Sequence, residues 1–216
     1  MDYPNALDRV NHKSGSGIWL HSTNDETRID KGLDSRGCVV TANKELIEIS
    51  KYIELNKTPI IVTQELSYLN EATFKKEKDE LMNVFNSWVE AWRNKDIEKY
   101  ASYYHPELFT DGKKKYNEFK NYKRMIFSNP GKPSIEIDKV SILNHKSYAV
   151  INFIQKYAFT SINDIGKKTL YLIKDDNYNW KIVNEDWSKK GLEEMDNKVS
   201  FQPTFRFFNE EILKKY

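Results

Sequence analysis

The sequence has very little cysteine and no long apolar run, and both shortages limit what the chain can be. Cys38 is the only cysteine among 216 residues, so no disulfide can form within one chain and the redox compartment is left open. No run of about 18 apolar residues is present, which argues against a transmembrane helix. Residues 1–4 have neither a basic nor an apolar segment, so we predict no signal peptide within this chain.

The sequence also lacks an excess of charge of one sign. Its 34 basic and 32 acidic residues give a formal net charge of +2, and the lysines are interleaved with acids, so nucleic acid is not an expected partner. The 4 histidines are scattered without the i, i+4 spacing that favours zinc ligation. No phosphate-binding loop is present, and we predict neither a metal nor a cofactor.

Aromatic residues, in contrast, are plentiful. The chain has 11 Phe, 13 Tyr and 5 Trp, and 39% of its residues are hydrophobic. This is enough large apolar surface to form a core. The length allows one or two domains.

The residues around Cys38 are the most informative feature of the sequence. The turn Ser35-Arg36-Gly37 precedes it, the apolar pair Val39-Val40 follows, and an apolar segment ending at His21 lies upstream. A lone cysteine is more often a small buried apolar residue. A nucleophilic thiol needs a base and a third group that orients the base. His21 is a candidate for that base, and the residues alone leave both interpretations open.

The same residues resemble the catalytic motif of the L,D-transpeptidase (YkuD-type) family, in which a strand-end histidine precedes a Ser/Thr-His/Arg-Gly-Cys box. The resemblance extends over Tyr3-Pro4-Asn5, Leu7-Asp8-Arg9, the segment 15–21 and the segment 35–38. It is strongest to the branch of cell-shape L,D-carboxypeptidases, which trim the peptide stems of peptidoglycan. In that family the catalytic domain begins upstream of Tyr3, so we expect residues 1–63 to be its C-terminal half.

The resemblance implies catalytic roles for four residues. Cys38 would attack the carbonyl carbon to form an acyl-enzyme, and His21 would accept the thiol proton. The backbone carbonyl of Ser22 would orient the imidazole, although family members usually have glycine at that position. The N–H groups of Gly37 and Cys38 would bind the oxyanion.

Substrate contacts are expected from three further residues. Arg36 could bind the carboxylate of a terminal D-alanine, which would favour carboxypeptidase action. An ion pair with Asp34 or Glu26 is an equally good interpretation. Ser35 is expected to support the turn through its hydroxyl, and Arg28 lies in the loop facing the expected site, where a solvated side chain is the simpler interpretation.

The remaining sequence predicts an α+β domain. We expect a short strand at 18–20, a helix capped by Asn43 and a strand at 58–63 in the first part, then a charged linker at 64–76. A helix carrying Leu81, Phe85 and Trp88, a short helix capped by Asp96 or Asn94 that extends through Tyr104, and a helix over 116–127 follow. Strands are predicted at 135–143, 147–160, 168–174 and 180–187, with a bulge between Ile137 and Val140.

This order resembles the nuclear transport factor two-like (SnoaL-like) cone, in which helices lean into a curved antiparallel sheet. The resemblance covers residues 77–188 and implies a pocket, which could serve as an accessory peptidoglycan site. Filling of the core is the simpler role for these aromatic residues. The candidate lining residues are Trp88, Trp92, Tyr103, Tyr104, His105, Tyr157, Tyr171, Glu185 and Trp187.

The sequence therefore predicts a partial, mostly-β L,D-transpeptidase domain followed by an α+β cone and a tail at 189–216, whose phenylalanines are expected to pack on the protein or a partner. The implied function is cysteine-dependent L,D-carboxypeptidase or L,D-transpeptidase action on peptidoglycan peptide stems at the cell envelope. The alternative is an inactive chain that acts as a binding module through residues 77–188. A homodimer is an open option.

Overall fold

The computed structural model describes residues 3–32, 35–53, 58–62, 68–145 and 148–189. The described residues form two compact units. One contains residues 3–4 and 14–62, and the other contains residues 5–13 and 68–189. The predicted tail lies, apart from Lys189, outside the described residues.

The first unit contains two short parallel strands and one helix. Its elements are β1 (Leu20–His21), a 3₁₀ turn (Glu26–Arg28), β2 (Val39–Val40) and α2 (Asn43–Ser50). Asn43 is the first residue of α2 and not its cap, because Ala42 occupies the N-cap position and its N–H donates to the Glu45 carboxylate at 3.3 Å. The helix prediction was therefore wrong by one residue.

The strand predicted at 58–63 is not formed over the described residues 58–62. Ile60, Ile61 and Val62 are exposed there, and no described strand pairs with them. Without a partner for its backbone N–H and C=O groups, a β-branched segment gains little from becoming a strand.

The second unit contains four helices, which are α1 (Ala6–Val10), α3 (Glu71–Arg93), α4 (Ile97–Ser102) and α5 (Tyr116–Phe127). The Asn70 side chain caps α3 by accepting from the Thr73 N–H at 2.9 Å. The prediction of a linker over 64–76 was thus wrong from Glu71 onward, because a charged run can be helical when a cap starts it. Asp96 caps α4 through the Lys99 N–H, as expected.

The strands of the second unit form one antiparallel sheet. They are β3 (Ser134–Asn144), β4 (Tyr148–Phe159), β5 (Ile162–Lys174) and β6 (Trp180–Ser188), in the order β3-β4-β5-β6. The predicted bulge in β3 is confirmed, since the register shifts between Asp138 and Ser141. A second shift, between Tyr171 and Leu172, was not predicted.

The helix-facing side of this sheet carries the core. Phe85, Trp88 and Trp92 of α3 pack with Tyr100 of α4 and with buried sheet residues such as Phe153. The predicted α+β class, with helices on a curved antiparallel sheet, is confirmed. The short helix α1 covers the opposite side of the same sheet, where Ala6 and Leu7 cluster with Tyr171 and Val183.

Candidate functional site

The two short strands of the first unit bring the segment before Cys38 beside the segment ending at His21. β1 and β2 are parallel, with Leu20 opposite Val39 and His21 opposite Val40. Side chains alternate along a strand, so Cys38, one position before β2, belongs to the face of Val40 and His21. The fold therefore places the cysteine and the histidine on one face of adjacent segments.

The turn before Cys38 is held by the Ser35 hydroxyl. Ser35 Oγ donates to the carbonyl of Cys38 at 2.6 Å and accepts from the Gly37 N–H at 3.1 Å. Gly37 has φ +112°, and a Cβ there would lie 2.9 Å from Cδ1 of Ile18. Only glycine fits this position without strain.

This hydrogen bond changes one expectation about the oxyanion donors. The Gly37 N–H already donates to Ser35 Oγ, so it is not free to bind an oxyanion in this conformation. The Cys38 N–H has no acceptor among the described residues. Cys38 is half-buried, and its thiol donates to the carbonyl of Gly17 at 3.6 Å.

His21 contacts the carbonyl of the residue that follows it. Its Nδ1 lies 2.6 Å from the Ser22 carbonyl oxygen, and a carbonyl can only accept, so Nδ1 carries the proton. In the neutral imidazole with this tautomer Nε2 is the nitrogen without a proton, which is the form a general base requires. No hydrogen bond joins Nε2 to the Cys38 thiol in the described part of the chain; catalytic hydrogen bonds often tighten only with substrate.

The loop between the two strands contains the expected arginines. Arg28 ends the 3₁₀ turn, and Arg36 is exposed and forms no ion pair with a described residue. Glu26, one of the alternative partners of Arg36, instead accepts from the Asn43 N–H at 2.8 Å. Asp34 lies outside the described residues.

The second unit holds a buried charged cluster that sequence reasoning found only in part. The Glu185 carboxylate lies 3.5 Å from Nζ of Lys168 and 3.9 Å from Nζ of Lys123, and all three side chains are nearly buried. The Tyr104 hydroxyl donates its one proton to Glu185 at 2.9 Å and shares a second hydrogen bond, 2.6 Å long, with the Tyr100 hydroxyl. Sequence analysis named Tyr104 and Glu185 but missed both lysines.

Aromatic rings surround the two lysines. Lys168 Nζ lies 5.0 Å from the Trp92 ring centroid, and Lys123 Nζ lies 5.0 Å from that of Phe119. The Trp88 indole N–H donates to the Tyr104 hydroxyl at 3.1 Å. These tryptophans are therefore both core residues and walls of the cluster.

Burial and charge shift the pKa values inside this cluster. Burial lowers the pKa of Lys123 to about 8, although the Glu185 carboxylate opposes the shift. Burial alone would raise the pKa of Glu185, but the ammonium groups of Lys168 and Lys123 hold it below its usual value. Burial, together with Glu185, raises the pKa of Tyr100 and Tyr104 well above the usual value. With both lysines as ammonium groups and Glu185 as a carboxylate, the cluster carries two positive charges and one negative charge.

One of the expected lining residues lies elsewhere. Tyr171 packs on the outer side of the sheet with α1, because the strand alternation that buries Leu170 and Leu172 on the helix-facing side turns Tyr171 away. The expectation for Tyr171 was therefore wrong. His105 accepts from the N–H groups of Glu107 and Leu108 and so supports a turn.

Among the described residues, no group of His, Cys, Asp or Glu could hold a metal ion. None of the described helices is long and apolar enough to cross a membrane.

Comparison with protein families matches both parts of the chain. Residues 2–62 match the L,D-transpeptidase catalytic domain, and residues 80–186 match the Cds6 C-terminal NTF2-like domain. The structure is similar to that of Bd1075 from Bdellovibrio bacteriovorus, with 32% identity and a TM-score of 0.74 over 87% of this chain and 68% of that one. The chain belongs to the L,D-transpeptidase family, with an NTF2-like domain after the catalytic part.

A second protein of similar structure is the helical cell shape determining protein Pgp2 from Campylobacter jejuni. It shares 26% identity with a TM-score of 0.63, and the match covers 85% of this chain and 65% of Pgp2. Comparison with curated proteins finds no match. The present chain thus spans about two thirds of the length of both relatives, and both family resemblances expected from the sequence are confirmed.

Proposed function

We propose that Cys38 and His21 act in a cysteine-dependent peptidoglycan L,D-carboxypeptidase of the cell envelope that takes part in cell shape. The observation that carries the proposal is the contact of His21 Nδ1 with the Ser22 carbonyl at 2.6 Å, on the strand face shared with Cys38. This contact selects the tautomer of the neutral imidazole in which Nε2 can accept a proton, and family membership supports the substrate class.

The reaction begins when His21 Nε2 takes the proton of the Cys38 thiol. The thiolate attacks the carbonyl carbon of the L,D bond, and the Cys38 N–H stabilises the oxyanion. His21 then protonates the leaving D-alanine amine, which leaves a thioester on Cys38. Attack by water completes a carboxypeptidase cycle, whereas attack by a second stem amine completes a transpeptidase cycle.

The exposed Arg36 is the residue that we expect to orient the substrate. Its planar guanidinium matches the geometry of a carboxylate, and we assign it to the carboxylate of the terminal D-alanine, which it would bind with two hydrogen bonds. A substrate anchored by a free terminal carboxylate is one from which a single residue is removed. This supports carboxypeptidase action over transpeptidation. Ser35 holds the turn, and Arg28 contributes positive charge to the same loop.

Cys38→Ala provides the test of this activity. We expect the unmodified chain to release D-alanine from disaccharide-tetrapeptide and Cys38→Ala to release none, because the thioester cannot form. Mass spectrometry of the products measures both. Cys38→Ser serves as a control of similar size, for which we expect a loss of at least 100-fold because a serine hydroxyl lacks the acidity of the thiol.

Release of D-alanine by Cys38→Ala would contradict the assignment of Cys38. Absence of release by every version would contradict enzymatic activity of this chain and favour a role as a binding module.

A second role is supported by the buried cluster of Lys123, Lys168 and Glu185. We propose that the NTF2-like unit binds the carboxylate of a peptidoglycan peptide stem there. Two ammonium groups face one carboxylate at 3.5 and 3.9 Å, so one positive charge is left to bind an anionic ligand. Because the cluster is nearly buried, the low local dielectric strengthens the attraction between this charge and the ligand. The tryptophan rings beside Lys168 supply apolar contact area.

Lys168→Met is the variant that tests this binding. It keeps the length of the side chain and removes the charge, so we expect at least a tenfold weaker affinity for a tetrapeptide stem measured by titration calorimetry. Lys167→Met is the matched control, since Lys167 is the next residue of β5 and belongs to the opposite face of the sheet. Equal affinities for the two variants would contradict the proposed site.

A further inference from the structure

Two oxygen atoms of the NTF2-like unit are buried without a hydrogen-bond donor from the described chain. They are Oε1 of Gln155 and Oδ1 of Asp164, and Gln155 is only 5% exposed. A buried acceptor without a donor costs free energy, so native proteins seldom keep one without a reason. A carboxylate can only accept, and the group that fits these oxygens is therefore an N–H or O–H donor.

The sheet register places both residues near Lys168. Gln155 lies opposite Gly166, and Lys168 lies opposite the buried Phe153. Because alternate residues of a strand share a face, Asp164, Gly166 and Lys168 line the helix-facing side of β5. Diagonal neighbours on adjacent strands are about 7–8 Å apart, so Gln155 lies within side-chain reach of positions 164 and 168.

An indole ring lies between the two ends of this row. A Cβ on Gly166 would be 2.2 Å from Nε1 and 2.4 Å from Cε2 of Trp187, which means that the indole rests against the Gly166 backbone. Trp187 is 39% exposed. It thus offers a partly open apolar surface that runs from Lys168 towards Asp164.

The charges along this surface are of opposite sign at its two ends. The ammonium groups of Lys123 and Lys168 lie at one end, and the Asp164 carboxylate lies at the other. Positions 164 and 168 are four residues apart on one strand, which is about 13 Å. This distance suits an extended peptide of about four residues with an anionic and a cationic group, and is too long for a single amino acid.

We propose that Gln155, Asp164 and Trp187 form a second subsite, which binds an ammonium group of a peptide whose carboxylate is held by Lys123 and Lys168. The ammonium donates to Asp164 and Gln155, and the peptide backbone lies on the Trp187 indole. This inference rests on the binding role proposed above for the NTF2-like unit. It adds a requirement on the ligand, namely a free amine in addition to a free carboxylate.

The test compares two probes by titration calorimetry on the intact chain. The first is a tetrapeptide stem whose third residue is a diamino acid with a free side-chain amine, and the second is the same peptide with that amine acetylated. We expect acetylation to weaken binding at least tenfold in the unmodified chain and less than threefold in Asp164→Asn. Asp176→Asn, in the exposed turn before β6, is the control and should keep the full preference.

A second variant separates binding from folding. Gln155→Met removes the unpaired oxygen, so we expect the free chain to resist urea at least as well as the unmodified chain while its preference for the free amine falls. A residue with a purely structural role would instead lose stability when changed.

The outcomes distinguish this inference from the function on which it rests. If Asp164→Asn keeps the full preference while Lys168→Met weakens both peptides, the second subsite is overturned and the carboxylate site stands. If neither peptide binds to the unmodified chain, both are overturned. If the preference is lost in Asp164→Asn and kept in Asp176→Asn, the subsite is supported.

Discussion

Lys123 is a buried residue whose pKa is brought towards neutrality by its surroundings. Burial lowers its pKa from the usual 10.5 to about 8. The groups that act on it are the Glu185 carboxylate and Asp111, which favour the ammonium, and Lys168 and Lys114, which disfavour it. The residue is thus buried at a free-energy cost that unfolding relieves.

The stability of the second unit should therefore rise with pH in a defined window. Between pH 8 and about 10 the unfolded chain holds the Lys123 proton and the folded chain has lost it, so the free energy of unfolding rises by up to about 1.4 kcal/mol per pH unit from this group. Urea titrations at several pH values measure the slope. Lys123→Met should lose this contribution, and Lys76→Met, an exposed change on α3, should keep it. Identical slopes for the two variants would contradict the assignment.

At the scale of elements, helix α1 is the part that sequence patterns placed least well. Its residues belong to a stretch that resembles the catalytic family, yet α1 is part of the second unit, where Ala6 and Leu7 are buried against Tyr171 and Val183 of the sheet. The Asn5 side chain caps the helix by accepting from the N–H groups of Leu7 and Asp8. A helix of 5 residues is too short to be stable alone, so this packing is what maintains it.

Leu7→Ala should therefore destabilise the second unit. Loss of a buried leucine side chain costs about 2–3 kcal/mol, and we expect the urea midpoint followed by tryptophan fluorescence to fall. Four of the 5 tryptophans, all except Trp19, lie in this unit, so the signal reports mainly on it. Val10→Ala is the control on the same helix, because Val10 is 48% exposed. Equal urea midpoints for the two variants would show that packing of α1 on the sheet does not stabilise the second unit.

Elements with a regular apolar period were predictable, and those that carry polar groups on a buried face were not. The bounds of α5 agree with the prediction at both ends, 116 and 127. The start of β5 was placed at 168 but lies at Ile162, because Asp164 and Gly166 break the alternation. The polar groups that obscure the strand are the same ones that form the second subsite proposed here.

In the candidate active site, too, some features could be predicted from the sequence and others could not. Motif resemblance was enough to predict that His21 and Cys38 belong together and that a backbone carbonyl contacts the imidazole. It could not indicate that the Gly37 N–H is already bound by Ser35 Oγ, because that depends on a single side-chain rotamer. The lysines of the buried cluster, Lys123 of α5 and Lys168 of β5, were missed for a different reason, since lysine is usually assigned to solvent.

At the scale of the whole molecule, the path of the chain between its two units is the dominant feature. Residues 3–4 and 14–62 belong to one unit, whereas the intervening residues 5–13 belong to the other. The chain passes from one unit to the other before α1, after α1 and again after residue 62. A substitution in α1 is therefore a substitution in the NTF2-like unit, even though the same stretch contributes to the resemblance to the catalytic family.

This path sets an order of events during synthesis. Leu7 leaves the ribosome long before Tyr171 and Val183, its partners on the sheet, and at ordinary rates of translation the delay is on the order of ten seconds. Throughout that time the apolar face of α1 has no sheet to cover it. The α1 segment is therefore secured only after β5 and β6 have been synthesised, although it precedes both strands by more than a hundred residues.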